Sequence, residues 1–300
     1  MALVTLIDPS HGAVSPRPIG LAVWMDRVLE QADQVERSWD AEDVHDLRVA
    51  LRRCRTMSDA LSEVDSRPGW RKLKKCSREL FHALGALRDA QVMKDWVRKL
   101  GPAGDPVRRA MLRHLTAQER CGRSEADRAL GRFDRKAWRK LARKLEPRAR
   151  FFPPDSVVFQ RLALEKLNAA VELYSRARKS RSMLAWHRLR IGVKRFRYIV
   201  DNFLPQRAQL WAADLKHTQD LLGEVHDLDV LRSAIRGHTA TFDPAIAVGW
   251  MARIERERKA RLSEFISKVT GPESLWLVWR AGFPWGHALM GAPVRERRTA

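Results

Sequence analysis

One block of this sequence occurs twice, and that limits the fold more than any other feature. Val44-His-Asp-Leu-Arg-Val-Ala-Leu-Arg-Arg-Cys-Arg55 aligns with Trp186-His-Arg-Leu-Arg-Ile-Gly-Val-Lys-Arg-Phe-Arg197 at an offset of 142 (187 less 45). The matched pairs are His45/His187, Leu47/Leu189, Arg48/Arg190, Val49/Ile191, Arg52/Lys194, Arg53/Arg195 and Arg55/Arg197. A second block, Leu84-Gly-Ala-Leu-Arg-Asp-Ala-Gln-Val92, matches Leu222-Gly-Glu-Val-His-Asp-Leu-Asp-Val230 at an offset of 138 (223 less 85). The register slips by about one helical turn between them, which a change in one connecting turn absorbs. Two matched blocks in the same order describe a duplicated unit.

The repeated unit is helical. Apolar residues recur at three- and four-residue spacing along most of the chain, alternation is scarce, and Arg, Leu, Ala and Glu favour helix. Breakers cluster at Asp8–Pro18, Ser66–Gly69, Gly101–Pro106, Pro147, Phe151–Pro154, Pro205 and Thr270–Pro272. They separate helices of about 20–30 residues joined by short turns. The expected fold is all-α: two pseudo-symmetric antiparallel four-helix bundles sharing a basic surface. We place the first bundle at residues 1–150, the second at 151–270, and a Trp-rich tail at 271–300. Whether that tail covers the fold or stays mobile, the sequence leaves open.

On a helix, His45, Arg48, Arg52 and Arg55 fall within an arc of about 80°. Leu47, Leu51, Cys54, Met57 and Leu61 lie opposite. The second copy divides in the same way, with His187, Arg190, Lys194 and Arg197 against Leu189, Val193, Phe196 and Val200. Arg71, Lys74, Arg78 and His82 extend the cationic series on the next helix, and Lys216 stands seven residues before Gly223 as Arg78 does before Gly85. Most charged helix faces are simply solvated. Those faces mix signs, however, because like charges at i,i+4 are destabilising by a few tenths of a kcal/mol. Arg48/Arg52 and Arg190/Lys194 are like pairs kept in both copies, which points to negative charge supplied from outside. Arginine forks suit phosphate oxygens, and a histidine on each stripe makes pH-sensitive binding an expectation. Gly85 and Gly223, costly within helices, are expected at close helix contacts. Asp89 and Asp227 are read either as buttresses for a neighbouring arginine or as plain salt-bridge partners.

The whole composition agrees. With 57 Lys and Arg against 36 Asp and Glu, the net charge is +21, so the chain concentrates polyanions. Three cysteines without a CxxC pair fit reduced thiols better than disulfides or zinc. The first residues lack signal-peptide character, and no run approaches the roughly 20 apolar residues that span a bilayer. The expectation is a soluble, cytoplasmic protein with no membrane partner.

The blocks His45-x-x-Arg-Val-x-x-Arg-Arg-x-Arg55 and Leu84-Gly-x-x-Arg-Asp-x-x-Val92, with their second copies, resemble the CHAD domain, the conserved histidine α-helical domain. The resemblance runs from about residue 18 to about residue 268. It implies two helical bundles whose basic helices line a shared positive surface, binding of inorganic polyphosphate without catalysis, and recruitment to polyphosphate granules. The polyphosphate-binding set it implies is His45, Arg48, Arg52, Arg53, Arg55, Arg78, His187, Arg190, Lys194, Arg195, Arg197 and Lys216. No cofactor and no metal are expected. Two departures stand out. His226 replaces the pattern's arginine, and Gly192 sits where the first copy has Ala50, which predicts local loosening of that helix.

Other readings fit less well. Glu255-Arg-Glu-Arg-Lys259 spells the Glu-x-Glu-x-Lys signature of the triphosphatase domain that accompanies some CHAD domains. That signature needs a strand to aim its side chains together, and here it falls in a helical pattern. Phosphate-cradling loops, HExxH and clustered carboxylates are missing, which argues against an enzyme. Cations beside His45 disfavour a metal ion. Nucleic acid is the competing partner, but Trp186 and Phe196 fall off the basic stripe, so it lacks stacking platforms. Granule-associated proteins, meeting the Trp-rich C-terminus, form a further partner class compatible with polyphosphate.

Overall fold

A computed structural model describes residues 20–180, 182–237 and 243–285. Among them are eleven helices and no strand: α1 Leu21–Ser38, α2 Ala41–Val64, α3 Trp70–Cys76, α4 Arg78–Leu100, α5 Pro106–Gly131, α6 Arg135–Arg150, α7 Val157–Ser180, α8 Met183–Phe203, α9 Pro205–Gly237, α10 Pro244–Val269 and α11 Leu275–Ala281. None of the described helices is long and apolar enough to cross a membrane.

The breaks have local causes. Pro106 and Pro244 open α5 and α10, where a missing N–H costs nothing. Asp105 caps α5 by accepting from Arg108 N at 2.9 Å, and Asp243 caps α10 from Ala245 N at 2.7 Å. Gly69 enters α3 at φ 132°, a conformation that only glycine adopts cheaply. Other boundaries carry no breaker. Trp39 closes α1 in the left-handed region at φ 55°, and Asp134 and Ser182 cap α6 and α8 through Ala137 N and Ala185 N. Pro147, expected as a break, lies inside the last turn of α6, where few backbone bonds remain to be lost.

Consecutive helices pack in pairs: α1 on α2, α4 on α5, α7 on α8, and α9 on both α8 and α10. Further contacts join the early and late parts of the chain, α2 on α8 and α4 on both α9 and α10. Buried apolar residues form two clusters. The larger draws on both sequence halves, from Met25, Leu51, Trp70 and Trp138 to Phe159, Phe196, Trp211 and Phe265. The smaller gathers Met93, Trp96 and Val97 of α4, Val107 and Met111 of α5, Leu228 and Leu231 of α9, and Trp250 and Ile254 of α10. Trp250 donates its Nε1–H to Asp105 at 3.0 Å and lies against Gly101.

The described part of the Trp-rich tail belongs to the core. Trp276, Trp279 and Phe283 are buried, and Trp279 meets Phe196 at 5.5 Å between ring centroids. Residues 286–300, the rest of that tail, lie outside the described residues, as does the Asp8–Pro18 cluster. Gly192 lies within the unbroken α8, and its lack of a side chain serves a close contact between helices. It is buried on α7, where an added Cβ would come within 2.9 Å of Leu173 Cδ1 and 3.5 Å of Ala170 Cα.

Candidate polyanion site

The repeated block occupies α2 and α8, and the two helices lie against each other. Leu47, Leu51, Cys54, Met57 and Leu61 on α2, and Leu189, Val193, Phe196 and Val200 on α8, are all buried as the spacing predicts. Fully burying one such side chain is worth about 1.5–3 kcal/mol. These stripes therefore fix the rotation of each helix and hold its cations at the seam.

Four cations meet there. The ammonium of Lys194, half-buried on α8, is pushed down to about 7 by burial and then by Arg190, Arg52 and Arg48. Cations from both copies thus lie within one another's field. Arg48 is the best supported. Its guanidinium rests over Gly85 so closely that a Cβ there would sit 2.6 Å from Nη1. It also stands over the Phe81 ring at 5.6 Å and reaches Asp89 Oδ1 at 3.8 Å. Gly85 therefore makes room for a guanidinium, not for a helix. Gly223 faces open space, with nothing within 4 Å of an added Cβ, so the expected close packing is absent there. Asp89 thus supplies part of the negative charge for the Arg48/Arg52 pair from within the chain.

Arg52, Arg190 and Lys194 make no hydrogen bond or ion pair with any described residue. The Nε of Arg190 is buried without an acceptor, and so is the hydroxyl of Tyr198, whose ring lies 5.8 Å from Lys194 Nζ. Buried polar atoms normally find partners. Around them cations outnumber carboxylates, with Asp89 and Asp227 the acidic groups in the field of Arg48, Arg190 and Lys194.

His187 sits at the same seam, its Nδ1 3.2 Å from Nδ1 of His226 on α9. Burial, then Arg190 and Lys194, hold His187 below the ordinary imidazole range. Burial, then Arg190, His187 and Lys194, press His226 down to about 4. Beside them burial lifts Asp227 to about 6, against the pull of Arg190. His226, read in the sequence only as a lost arginine, is thus the partner of the repeated histidine. His45 is exposed, and its imidazole is lowered by desolvation and by Arg88 and Arg52.

The other expected binding residues are placed differently. Arg53 donates to Asn202 Oδ1 at 2.9 Å, pairs with Asp201 at 3.5 Å and covers Trp24, so it ties α2 to α8. Arg197 is engaged by the same Asp201 at 3.2 Å. Arg55 donates to the Lys74 carbonyl at 2.7 Å and to Ser77 Oγ at 3.1 Å, fastening α3. Lys216 is exposed and paired with Asp220 at 2.6 Å. Arg78 is exposed at a cleft with Arg55, Arg71, Lys74 and Lys75, and Arg195 borders another with Lys74, Lys166 and Tyr198. The structure therefore brings Arg48, Arg52, Arg190, Lys194 and His187 together, and gives Arg53, Arg55 and Arg197 internal duties. Sequence reasoning missed Tyr198 and Asp201. Arg88 and His226 were visible in the second repeated block, at matched positions.

The Glu255–Lys259 segment lies within α10, where Glu255 pairs with Arg232 and Glu257 with Arg261.

This all-helical fold, with its doubled His-x-x-Arg helix at one seam, belongs to a defined class. The CHAD domain family model matches residues 21–236, and the chain belongs to that family. Among solved structures it is similar to the CHAD domain from the plant Ricinus communis, with a TM-score of 0.58 at 20% identity over 89% of each chain. It is also similar to PptA from Streptomyces chartreusis, with a TM-score of 0.61 at 16% identity over 82% of this chain and 95% of that one. At such identities the likeness is one of fold. No curated protein matches the chain.

Proposed function

We propose that this protein binds inorganic polyphosphate at the α2–α8 seam, without catalysis, on a basic surface shared by two duplicated helical units at residues 1–150 and 151–270. On this reading binding recruits it to polyphosphate granules in the cytoplasm. The observation that carries the proposal is that Arg52, Arg190 and Lys194, drawn from both copies, converge half-buried and none of them makes an ion pair with a described carboxylate, although Asp89 and Asp227 lie in their field. A polymer with a charge on every unit supplies what they lack, at several points at once. The aromatic rings nearest the seam speak against bases as ligands. Phe81, Trp24 and Tyr198 are half-buried and already covered by Arg48 and Arg55, Arg53, and Lys194 respectively.

The test is competition at near-physiological salt between long-chain polyphosphate and DNA or RNA of matched phosphate count, because any cationic protein binds polyanions at low salt. Polyphosphate is expected to win. The triple substitution Arg52→Gln, Arg190→Gln, Lys194→Gln is expected to remove most of the preference while circular dichroism stays helical. Equal competition by nucleic acid, or an unaffected variant, overturns the reading.

A further inference from the structure

Helix α6 carries a second set of cations that the seam does not use. Lys136, Arg139, Lys140, Arg143 and Lys144 are all exposed and make no hydrogen bond or ion pair with a described residue. At 3.6 residues per turn they occupy an arc of about 140°, opposite the buried Trp138, Leu141 and Leu145. The remaining cations of the helix are treated differently. Arg135 reaches Glu36 at 2.7 Å and Asp33 at 3.4 Å, Arg148 reaches Asp65 at 2.7 Å, and Arg150 takes Glu146 at 2.5 Å. Glu146 is the helix's only acidic residue. Carboxylates therefore serve the edges of α6 and leave its outer stripe bare, although Lys136/Lys140, Arg139/Arg143 and Lys140/Lys144 are like pairs that weaken a helix.

The stripe also points away from the seam. The buried side of α6 packs on α1 and α3, with Trp138 Nε1 donating to the Met25 carbonyl at 2.9 Å, and α1 packs in turn on α2. Because the apolar side of α6 is already committed to the core, this helix cannot lay an apolar face into a lipid surface. No aromatic side chain lies on the stripe to stack on bases. What remains is dense, directionless positive charge, which suits a flexible chain of phosphates.

We propose that the outer face of α6 is a second polyphosphate-binding surface, so that one molecule holds two polymer segments and cross-links chains. This rests on the seam reading for its ligand, and adds a separate site and a bridging role.

The experiment uses the full chain at near-physiological salt. Calorimetry with short-chain polyphosphate counts bound phosphate, and light scattering with long-chain polyphosphate reports cross-linking. The α6 variant changes Lys136, Arg139, Lys140, Arg143 and Lys144 to Gln, a good helix former, with circular dichroism as the folding check. The seam variant carries Arg52→Gln, Arg190→Gln and Lys194→Gln. The α6 variant is expected to lose about half of the bound short-chain polymer and nearly all scattering, while keeping the seam component. Its overall salt dependence should also flatten, by roughly three slope units on the single-strand counterion rule. A control with Lys136, Lys140 and Lys144 changed to Arg should behave as wild type. Unchanged capacity and scattering in the α6 variant overturn the proposal. So does displacement of polyphosphate from the seam variant by duplex DNA, or by phosphatidylserine vesicles, at matched charge. Loss of all binding in the α6 variant with none in the seam variant would instead sink the seam reading, so the two failures are distinguishable.

Discussion

At the scale of residues, the seam holds its basic groups in tension. Lys194 titrates near 7 and His226 near 4 because burial and neighbouring cations resist protonation. A bound polyanion relieves that resistance and raises both. Above pH 7 free Lys194 is largely neutral, so binding takes up a proton, and affinity falls as pH rises towards the bound-state value. Asp227, lifted to about 6 in the free protein, is raised further by a bound anion, and above pH 6 binding takes up a proton there also. Both effects have one sign. Polyphosphate affinity should decrease between about pH 6 and pH 8, by up to about tenfold per unit for each proton taken up. Titration calorimetry in buffers of different ionisation enthalpy would count those protons. Lys194→Arg, with a fixed charge, should flatten the profile above pH 7; an unchanged profile would assign the dependence elsewhere. The two repeated glycines give a second test. Gly85→Ala places a Cβ 2.6 Å from Arg48 Nη1, so the mobile guanidinium moves and polyphosphate binding weakens at little cost in stability. Gly223→Ala meets nothing and should stabilise the fold by up to about 1 kcal/mol without affecting binding. Urea unfolding and binding, measured on both, separate the two roles.

At the scale of elements, the seam depends on a brace that serves no ligand. Asp201 accepts Arg53 from α2 and Arg197 from its own helix, beside the Arg53–Asn202 bond. Asp201→Asn leaves two partly buried guanidinia short of a counter-charge and should cost about 1–3 kcal/mol in urea unfolding. Polyphosphate affinity should follow only as far as the α2–α8 packing loosens. This brace also shows where legibility ended. Asp201 reads in the sequence as the i+4 mate of Arg197, a local pair. Nothing local reveals that Arg53, far earlier in the chain, turns to the same carboxylate. The rotation of α2 and α8, by contrast, was legible, because Leu47, Leu51, Leu189 and Phe196 mark the buried side. Helix ends were legible where Pro or Gly made them, at Gly69, Pro106 and Pro205. They were hidden at Trp39, Asp134 and Ser182, where apolar periodicity runs on and a cap or a left-handed residue makes the turn. Tyr198 was invisible for a related reason. Its matched position is Thr56, whose hydroxyl is satisfied by the Arg53 carbonyl and Asn202, so the repeat carried no hint of it.

At the scale of the whole molecule, early and late helices share their interior. The larger apolar cluster runs from Leu21 to Phe283, and the smaller is closed by Trp250 against the turn that carries Gly101 and Asp105. Unfolding should therefore be a single transition. Fragments cut in the turn at 151–156 should fail to fold alone and should recover structure when mixed, which circular dichroism and size-exclusion chromatography would show. Two separate transitions would mean that each part completes its own core. The shared interior also bears on synthesis. When α1 to α6 have left the ribosome, the sides of α2 and α4 that will meet α8 and α9 have no wall to close against. Nascent chains must wait in that open state, cations and apolar side chains together, until the later helices are translated.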